Sequence, residues 1–133
     1  MDFSWPEEYI QFKEKTIQFA QRELNTDTIQ RDEQQEFPTD LWKKCADFGI
    51  QALAIPAQYG GPLEEVDFLR SMLAMEGFGY GCEDNGLAFG LNAQMWTVQT
   101  PIVHFGNEKQ KQKYQTQMAA GTMIGAHAIT EPE

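Results

Sequence analysis

Residues 86–105, GLAFGLNAQMWTVQTPIVHF, form the longest weakly charged run in an otherwise acidic, glutamine-rich chain, and any fold has to place them first. Leu87, Leu91, Met95, Val98, Ile102 and Phe105 recur at steps of three or four, a single apolar stripe that predicts a core-facing helix. A second line on another side of the same helix, Gly86, Gly90, Ala93 and Thr97, contains only small residues. Something can approach closely there, either a second helix or a slender ligand chain lying along the first. Asn92, Gln94 and Gln99 interrupt the run, whereas a membrane span needs about 18 or more predominantly apolar residues. A soluble core is therefore the expectation. Pro101 removes one backbone donor and crowds the carbonyl near Thr97, which predicts a kink in the last turns before Gly106 ends the helix.

A chain of 133 residues can bury one substantial core and is too short for two. Lys and Arg total 10 against 20 Asp and Glu, a net charge of −10 that argues against nucleic-acid binding and against an anionic membrane surface. An anionic cofactor stays open, because backbone donors can hold phosphate without entering the charge count. Cys45 and Cys82 are the only cysteines, no Cys/His spacing suits structural zinc, and reduced thiols are expected. The N-terminus, MDFSWPEEY, is polar and acidic, contrary to a secretory or transit signal, so a cytoplasmic protein is expected.

Ser4 with Glu7 has the spacing of a capping box and places the first helix there, with Tyr9, Phe12, Thr16, Phe19 and Leu24 buried beside Ile10, Ile17 and Ala20. Residues 25–36, NTDTIQRDEQQE, lose periodicity and read as an irregular, solvated connection. Pro38 or Thr39 opens a short helix with Leu41, Trp42, Cys45 and Phe48 on one face and Gly49 as its stop. In residues 50–61 an apolar run meets Pro56 and then Gly60 and Gly61, which predicts a buried, non-helical connection. From Leu63 a helical pattern returns, with Val66, Leu69, Met72 or Leu73 and Glu76 on one side, and Gly77, Gly79 and Gly81 loosening its end near Phe78. Met72, Met75 and Met95 read as core fillers, and Glu76, with no partner base or metal ligand, as a structural carboxylate.

Asn107 and Gln110 repeat a capping spacing and open a mostly exposed helix carrying Lys111, Lys113, Tyr114 and Met118, which Gly121 closes. Beyond it Met123, Gly125, His127 and Ile129 alternate with Ile124, Ala126, Ala128 and Thr130, the period of a strand. A lone strand has no partner within a helical chain, so it is expected to begin a further domain. The expected fold is all-α, an orthogonal helical bundle over residues 1–121 with residues 86–105 at its centre, followed by 122–133 as the start of a truncated β domain. His104 and His127 are too isolated to form a base or metal pair, and neither a catalytic residue nor a metal ligand is expected.

Three segments taken in order, FPTDLWKKCADFGIQALAIPAQYGG, PIVHFGNEKQKQKYQTQMAAG and IGAHAITEPE, resemble the N-terminal part of the flavin-dependent acyl-CoA dehydrogenases. The resemblance runs from Ser4 to Glu133 and covers only the leading part of a typical member. It implies an N-terminal helical domain, a middle β domain and a C-terminal helical bundle, with FAD between the last two, in an enzyme expected to be a homo-oligomer. The implied chemistry removes the α proton of an acyl thioester with a glutamate base while the β hydrogen leaves as hydride to the flavin. That glutamate would lie in the C-terminal bundle, and Glu76 does not match it.

His127, Ala128, Ile129, Thr130, Glu131 and Pro132 match the family's Thr-Glu-Pro segment, which implies flavin contacts through backbone groups and the Thr130 hydroxyl. Phe89, Gly90, Ala93 and Thr97 match positions on the family's central helix that line the far end of the acyl pocket. The wording GYGCEDNGLAFGLNAQMW is similar to biosynthetic relatives that oxidise acyl or prolyl groups tethered to carrier proteins, so acyl-CoA or an acyl-carrier protein is the implied substrate and partner. Departures from the family fall at Pro62, where a glycine-rich turn is common, at Gln115 and Thr116, where Leu-Pro is usual, and in extra residues between Cys82 and Pro101. The alternative function is a non-catalytic helical interaction module that binds a partner through the face a β domain would cover. With the base and a second flavin-contact strand outside these residues, the chain by itself is expected neither to hold FAD firmly nor to oxidise a thioester.

Overall fold

Helix α1 (Glu7–Glu23) starts behind Pro6, whose carbonyl accepts the Tyr9 and Ile10 amides at 3.0 and 3.3 Å. The computed structural model describes residues 4–132 of the chain. The N-cap is Pro6 rather than Ser4, where the capping spacing placed it, and the restricted φ of Pro6, −55°, sets the entry. Thr16, Phe19, Ala20 and the following Leu24 are buried, while Ile10 faces solvent.

Residues 25–36, expected to be irregular, contain helix α2 (Thr28–Gln34). Asp27 and Gln35 flank it in left-handed conformations, both at φ 55°. The helix buries no residue of its own, and its tie to the rest of the fold is the Arg31 guanidinium, 3.0 Å from the Asp84 carboxylate. A helix with no apolar face leaves no period in the sequence, which is why the pattern there reads as a loop.

Helix α3 (Thr39–Phe48) opens at Pro38 and stops at Gly49, whose φ of 98° suits glycine alone at little cost. Leu41, Trp42 and Cys45 are buried, and Phe48 stacks on Phe19 with ring centroids 4.1 Å apart. The connection that follows is buried over residues 50–55, as expected, but it is not free of helix, since it contains two single 3-10 turns, Ile50–Ala52 and Ala57–Tyr59.

Helix α4 (Phe68–Gly81) begins later than the pattern from Leu63 suggests, because the Asp67 carboxylate caps it by accepting the Arg70 amide at 3.0 Å. Its buried face is Ser71, Leu73, Ala74, Met75, Gly77, Phe78 and Gly81, while the side on which spacing grouped Leu69, Met72 and Glu76 is exposed. The glycines explain the rotation. A Cβ at Gly77 would lie 2.8 Å from the Lys13 carbonyl, and one at Gly81 would lie 2.7 Å from that of Ile17. Rather than loosening the helix end, these glycines let α4 meet α1 backbone to backbone, and that contact selects which face turns inward. Met75 and Met95 fill the core as expected, whereas Met72 is 61% exposed.

The central helix is continuous. Helix α5 (Asn85–Ala93), capped by Asp84, runs into a π-helical segment (Gln94–Gln99) and then into α6 (Thr100–Phe105). Leu87, Leu91 and Met95 are buried to within 1%, but the next buried residue is Gln99 rather than Val98. Val98 and Ile102 are half-buried and Phe105 is 89% exposed, against the continuous stripe expected. The wide turns add a residue per register, so the face rotates away from the three-four rhythm. They lie just ahead of Pro101, where the irregularity expected from its missing donor is taken up, and the Thr100 hydroxyl donates to the Met95 carbonyl at 2.9 Å.

Asn107 and Gln110 form a complete capping box at the start of the last helix, which runs as α7 (Glu108–Gln110), a second π-helical segment (Lys111–Gln115) and α8 (Thr116–Ala119). The Gln115 amide donates to the Gln99 carbonyl at 2.7 Å, so the two π segments touch. Residues 123–132 carry no regular secondary structure. Exposure alternates only at the start, with Met123 and Gly125 half-buried and Ile124 exposed, and residues 126–132 are all exposed, so the expected period of two does not extend to His127 and Ile129. A strand needs a neighbouring ladder, and the described residues form no sheet. The architecture is all-helical around a core of Leu24, Leu41, Trp42, Ile50, Phe78, Leu87, Leu91 and Met95, and among the described residues no helix is long and apolar enough to cross a membrane.

Candidate functional site

The small-residue face of the central helix is open. Gly90 and Ala93 are half-buried, Thr97 is exposed and Phe89 is 76% exposed. A Cβ placed on Gly90 would meet only Trp42 Cζ3, at 3.6 Å, an ordinary contact distance. No helix backbone presses on this position, in contrast to Gly77 and Gly81. Polar side chains along the face are turned back onto the helix itself: the Thr97 hydroxyl donates to the Ala93 carbonyl at 2.6 Å, the Asn92 amide to that of Ala88 at 2.9 Å, and Trp96 Nε1 to Asn92 Oδ1 at 2.9 Å. With their donors committed locally, these groups present mainly carbon to whatever lies along the helix.

His127, Ala128, Ile129, Thr130, Glu131 and Pro132 are all exposed, and no hydrogen bond ties them to other described residues. The chain is last fastened at Gly125, whose amide donates to Gln94 Oε1 at 2.8 Å. Gln94 directly follows Ala93, so the two groups of expected site residues are linked through Gly125 and the central helix. Sequence reasoning missed Gln94 as a functional candidate. Its one signal was a polar side chain inside the apolar run.

The remaining candidates carry no chemistry. Glu76 is exposed and pairs with Lys13 at 2.9 Å, a structural contact as expected. Cys45 and Cys82 are free and buried; burial pushes the Cys45 thiol far above the ordinary range, with Cys82 beside it adding to the effect, so it is no nucleophile. Burial raises Cys82 as well. His104 and His127 stand apart on exposed positions, and among the described residues no group of three His, Cys, Asp or Glu is placed to hold a metal ion.

Comparison with known proteins bears on what such a face serves. The L-prolyl-[peptidyl-carrier protein] dehydrogenase of Serratia sp. (strain ATCC 39006) is 34% identical over all of this chain, which covers 34% of that relative. The prolyl acyl carrier protein oxidase AnaB superposes with a TM-score of 0.91 at 45% identity, over 98% of this chain and 34% of that one. PigA, solved with FAD and proline, superposes with a TM-score of 0.84 at 32% identity, over 93% of this chain and 32% of its own. The chain thus spans about a third of the length of these relatives. Residues 6–122 match the family described as acyl-CoA dehydrogenase, N-terminal domain, and with nearly the whole helical bundle inside that match the chain belongs to this family.

Proposed function

We propose that this chain is the N-terminal domain of an FAD-dependent dehydrogenase that introduces an α,β double bond, or its prolyl equivalent, into a thioester-bound substrate. Residues 1–121 form the helical domain and 122–133 lead into a middle β domain, with a C-terminal bundle completing the enzyme. The observation that carries the reading is the open face at Gly90. A Cβ at Gly90 would meet only the Trp42 ring and no neighbouring backbone, which is wasted as close helix packing but suits the wall of an acyl pocket. Phe89, Gly90, Ala93 and Thr97 form that wall, set its depth and keep water from the acyl chain. The names of the Serratia relative and of AnaB favour a prolyl group on a carrier protein over a free acyl-CoA.

The exposed residues 127–132 fit a flavin contact in part, since the amides of residues 127–131 and the Thr130 hydroxyl donate to no other described residue. Bound FAD would supply the acceptor for the substrate's β hydrogen, taken as hydride. This chain supplies backbone donors and Thr130 toward the cofactor but no general base, because Glu76 faces solvent beside Lys13. Fixing six loose residues would cost about 1–2 kcal/mol each in backbone entropy, more than a few contacts offset, so firm FAD binding requires the other domains. Assembly as a homo-oligomer and a cytoplasmic setting belong to the same reading. The interaction-module alternative has no observation that favours it.

The test is Gly90→Leu in the complete enzyme. Added volume at depth is expected to cut turnover of longer acyl chains by about ten-fold or more while a short or prolyl substrate stays usable. A lowered melting temperature with every substrate weakened alike would instead assign the small-residue line to packing.

A further inference from the structure

We infer that Gln94 is a positioning residue, holding the backbone at Gly125 so that residues 127–132 reach the flavin in a fixed relation to the pocket wall. The inference rests on the functional reading above. Gln94 is 1% exposed and begins the first π segment, directly after Ala93. Its Oε1 accepts the Gly125 amide at 2.8 Å, and that donor identifies which end of the side-chain amide is oxygen. Gly125 is seated tightly: a Cβ there would lie 2.7 Å from Val98 Cγ1 and 3.0 Å from Met118 Sδ. The backbone is therefore gripped between the central and last helices, and one residue separates this grip from His127.

Gln94 stands seven residues after Leu87 and three after Leu91, so the buried face of α5 carries it inward, and the wide turns that begin there bring Gln99 rather than Val98 to the inside. An apolar side chain would fill the position without burying an amide. The Gln94 Nε2 has no partner among the described residues, so half of that amide is desolvated without return. The other half accounts for the residue, since its acceptor is the one side-chain atom that holds the segment at 125. Gly90 and Ala93 precede Gln94 on the same helix, so a displacement of the pocket wall is carried to the flavin-contact segment through this bond.

Amide hydrogen exchange on this chain tests the inference. Gln94→Met keeps the side-chain length and removes the acceptor, whereas Gln94→Glu keeps an acceptor oxygen. Gln94→Met is expected to speed exchange at Gly125 by about five- to ten-fold, the loss of one hydrogen bond, while the Phe78 and Leu91 amides keep their rates. Gln94→Glu restores protection at Gly125. In the complete three-domain protein Gln94→Met is expected to weaken FAD retention by about the same factor, read by flavin fluorescence on dilution, with the order of preferred acyl lengths unchanged. Unaltered exchange at Gly125 overturns the inference. So does faster exchange with FAD retention intact, or a loss of protection that extends to Phe78 and so assigns Gln94 to the core. A complete wild-type protein that takes up no FAD overturns the functional reading itself, which the exchange data on this chain do not depend on.

Discussion

Where α1 meets α4, and where the two π segments meet, the molecule buries contacts of opposite material. The first contact is dry: Phe19, Ala20, Leu24, Ala74 and Phe78 are buried together, and Gly77 and Gly81 bring the backbones to touching distance. In the second, Gln94, Gln99 and Gln115 are buried to within 1%, and each has at least one side-chain atom without a partner in the protein. Close-packed carbon yields stability in proportion to the surface removed from water, whereas a buried amide returns little unless both ends are bonded. The difference indicates a division of labour, with the α1–α4 pair holding the fold and the π region giving up stability for placement of the central helix and the chain leaving it.

The comparison breaks most visibly at the dry contact. Phe78→Ala empties a fully buried position and is expected to cost about 4 kcal/mol in chemical denaturation. Gly81→Ala places a methyl against the Ile17 carbonyl and the Ala20 side chain and is expected to cost about 2 kcal/mol by the same measurement. A loss below about 0.5 kcal/mol would mean that the helices separate freely and that the close approach contributes nothing.

An intermediate effect is expected at Asp84, outside both regions, which caps the central helix through the Leu87 amide and pairs with Arg31 of α2. Burial alone would raise its carboxyl, but the Leu87 amide and the Arg31 guanidinium outweigh burial and hold it below the ordinary value of 3.8. A depressed folded value means the contribution is fully present above pH 3.8 and is lost as pH falls through the folded value. Asp84→Asn is expected to lower stability by about 1 kcal/mol at neutral pH and to flatten the acid limb of the stability profile. An acid limb unchanged by the substitution would place the titration elsewhere.

The smallest effect sharpens the contrast. Neither side-chain atom of Gln99 has a partner, so Gln99→Met is expected to leave stability unchanged or raise it by up to about 1 kcal/mol in urea denaturation. A cost as large as that of Gly81→Ala would show that water satisfies the amide and that the π region is no weaker than the dry contact.

Elements that bury an apolar face could be read from the chain directly. Helix α3 with its stop at Gly49, the buried connection after it, the capping box at Asn107 and the central helix all stand where residue spacing places them, because solvent exclusion and local backbone chemistry write themselves into neighbouring residues. Helix α2 left no such trace, being tied to the fold by one ion pair rather than by a face. The proposed flavin residues and Phe89 came from resemblance alone, since exposed backbone donors have no periodic signature, whereas Gly90, Ala93 and Thr97 were legible as a row of small side chains whose use, helix packing or a ligand, spacing left open.

Tertiary structure decided the rest. The sequence by itself determined that the chain is helical, where most helices start and stop, and that residues 86–105 run through its middle. It did not determine which way α4 faces, because Leu69 and Met72 are as apolar as Leu73 and Met75 and only contact with α1 distinguishes the glycine side. Spacing places Gln94 on the Leu87 and Leu91 face but did not determine that it meets Gly125, 31 residues away in sequence, nor that Gln99 rather than Val98 turns inward. The first depends on a contact distant in sequence and the second on wide helical turns, which a period of three and four cannot encode and which only tertiary packing selects.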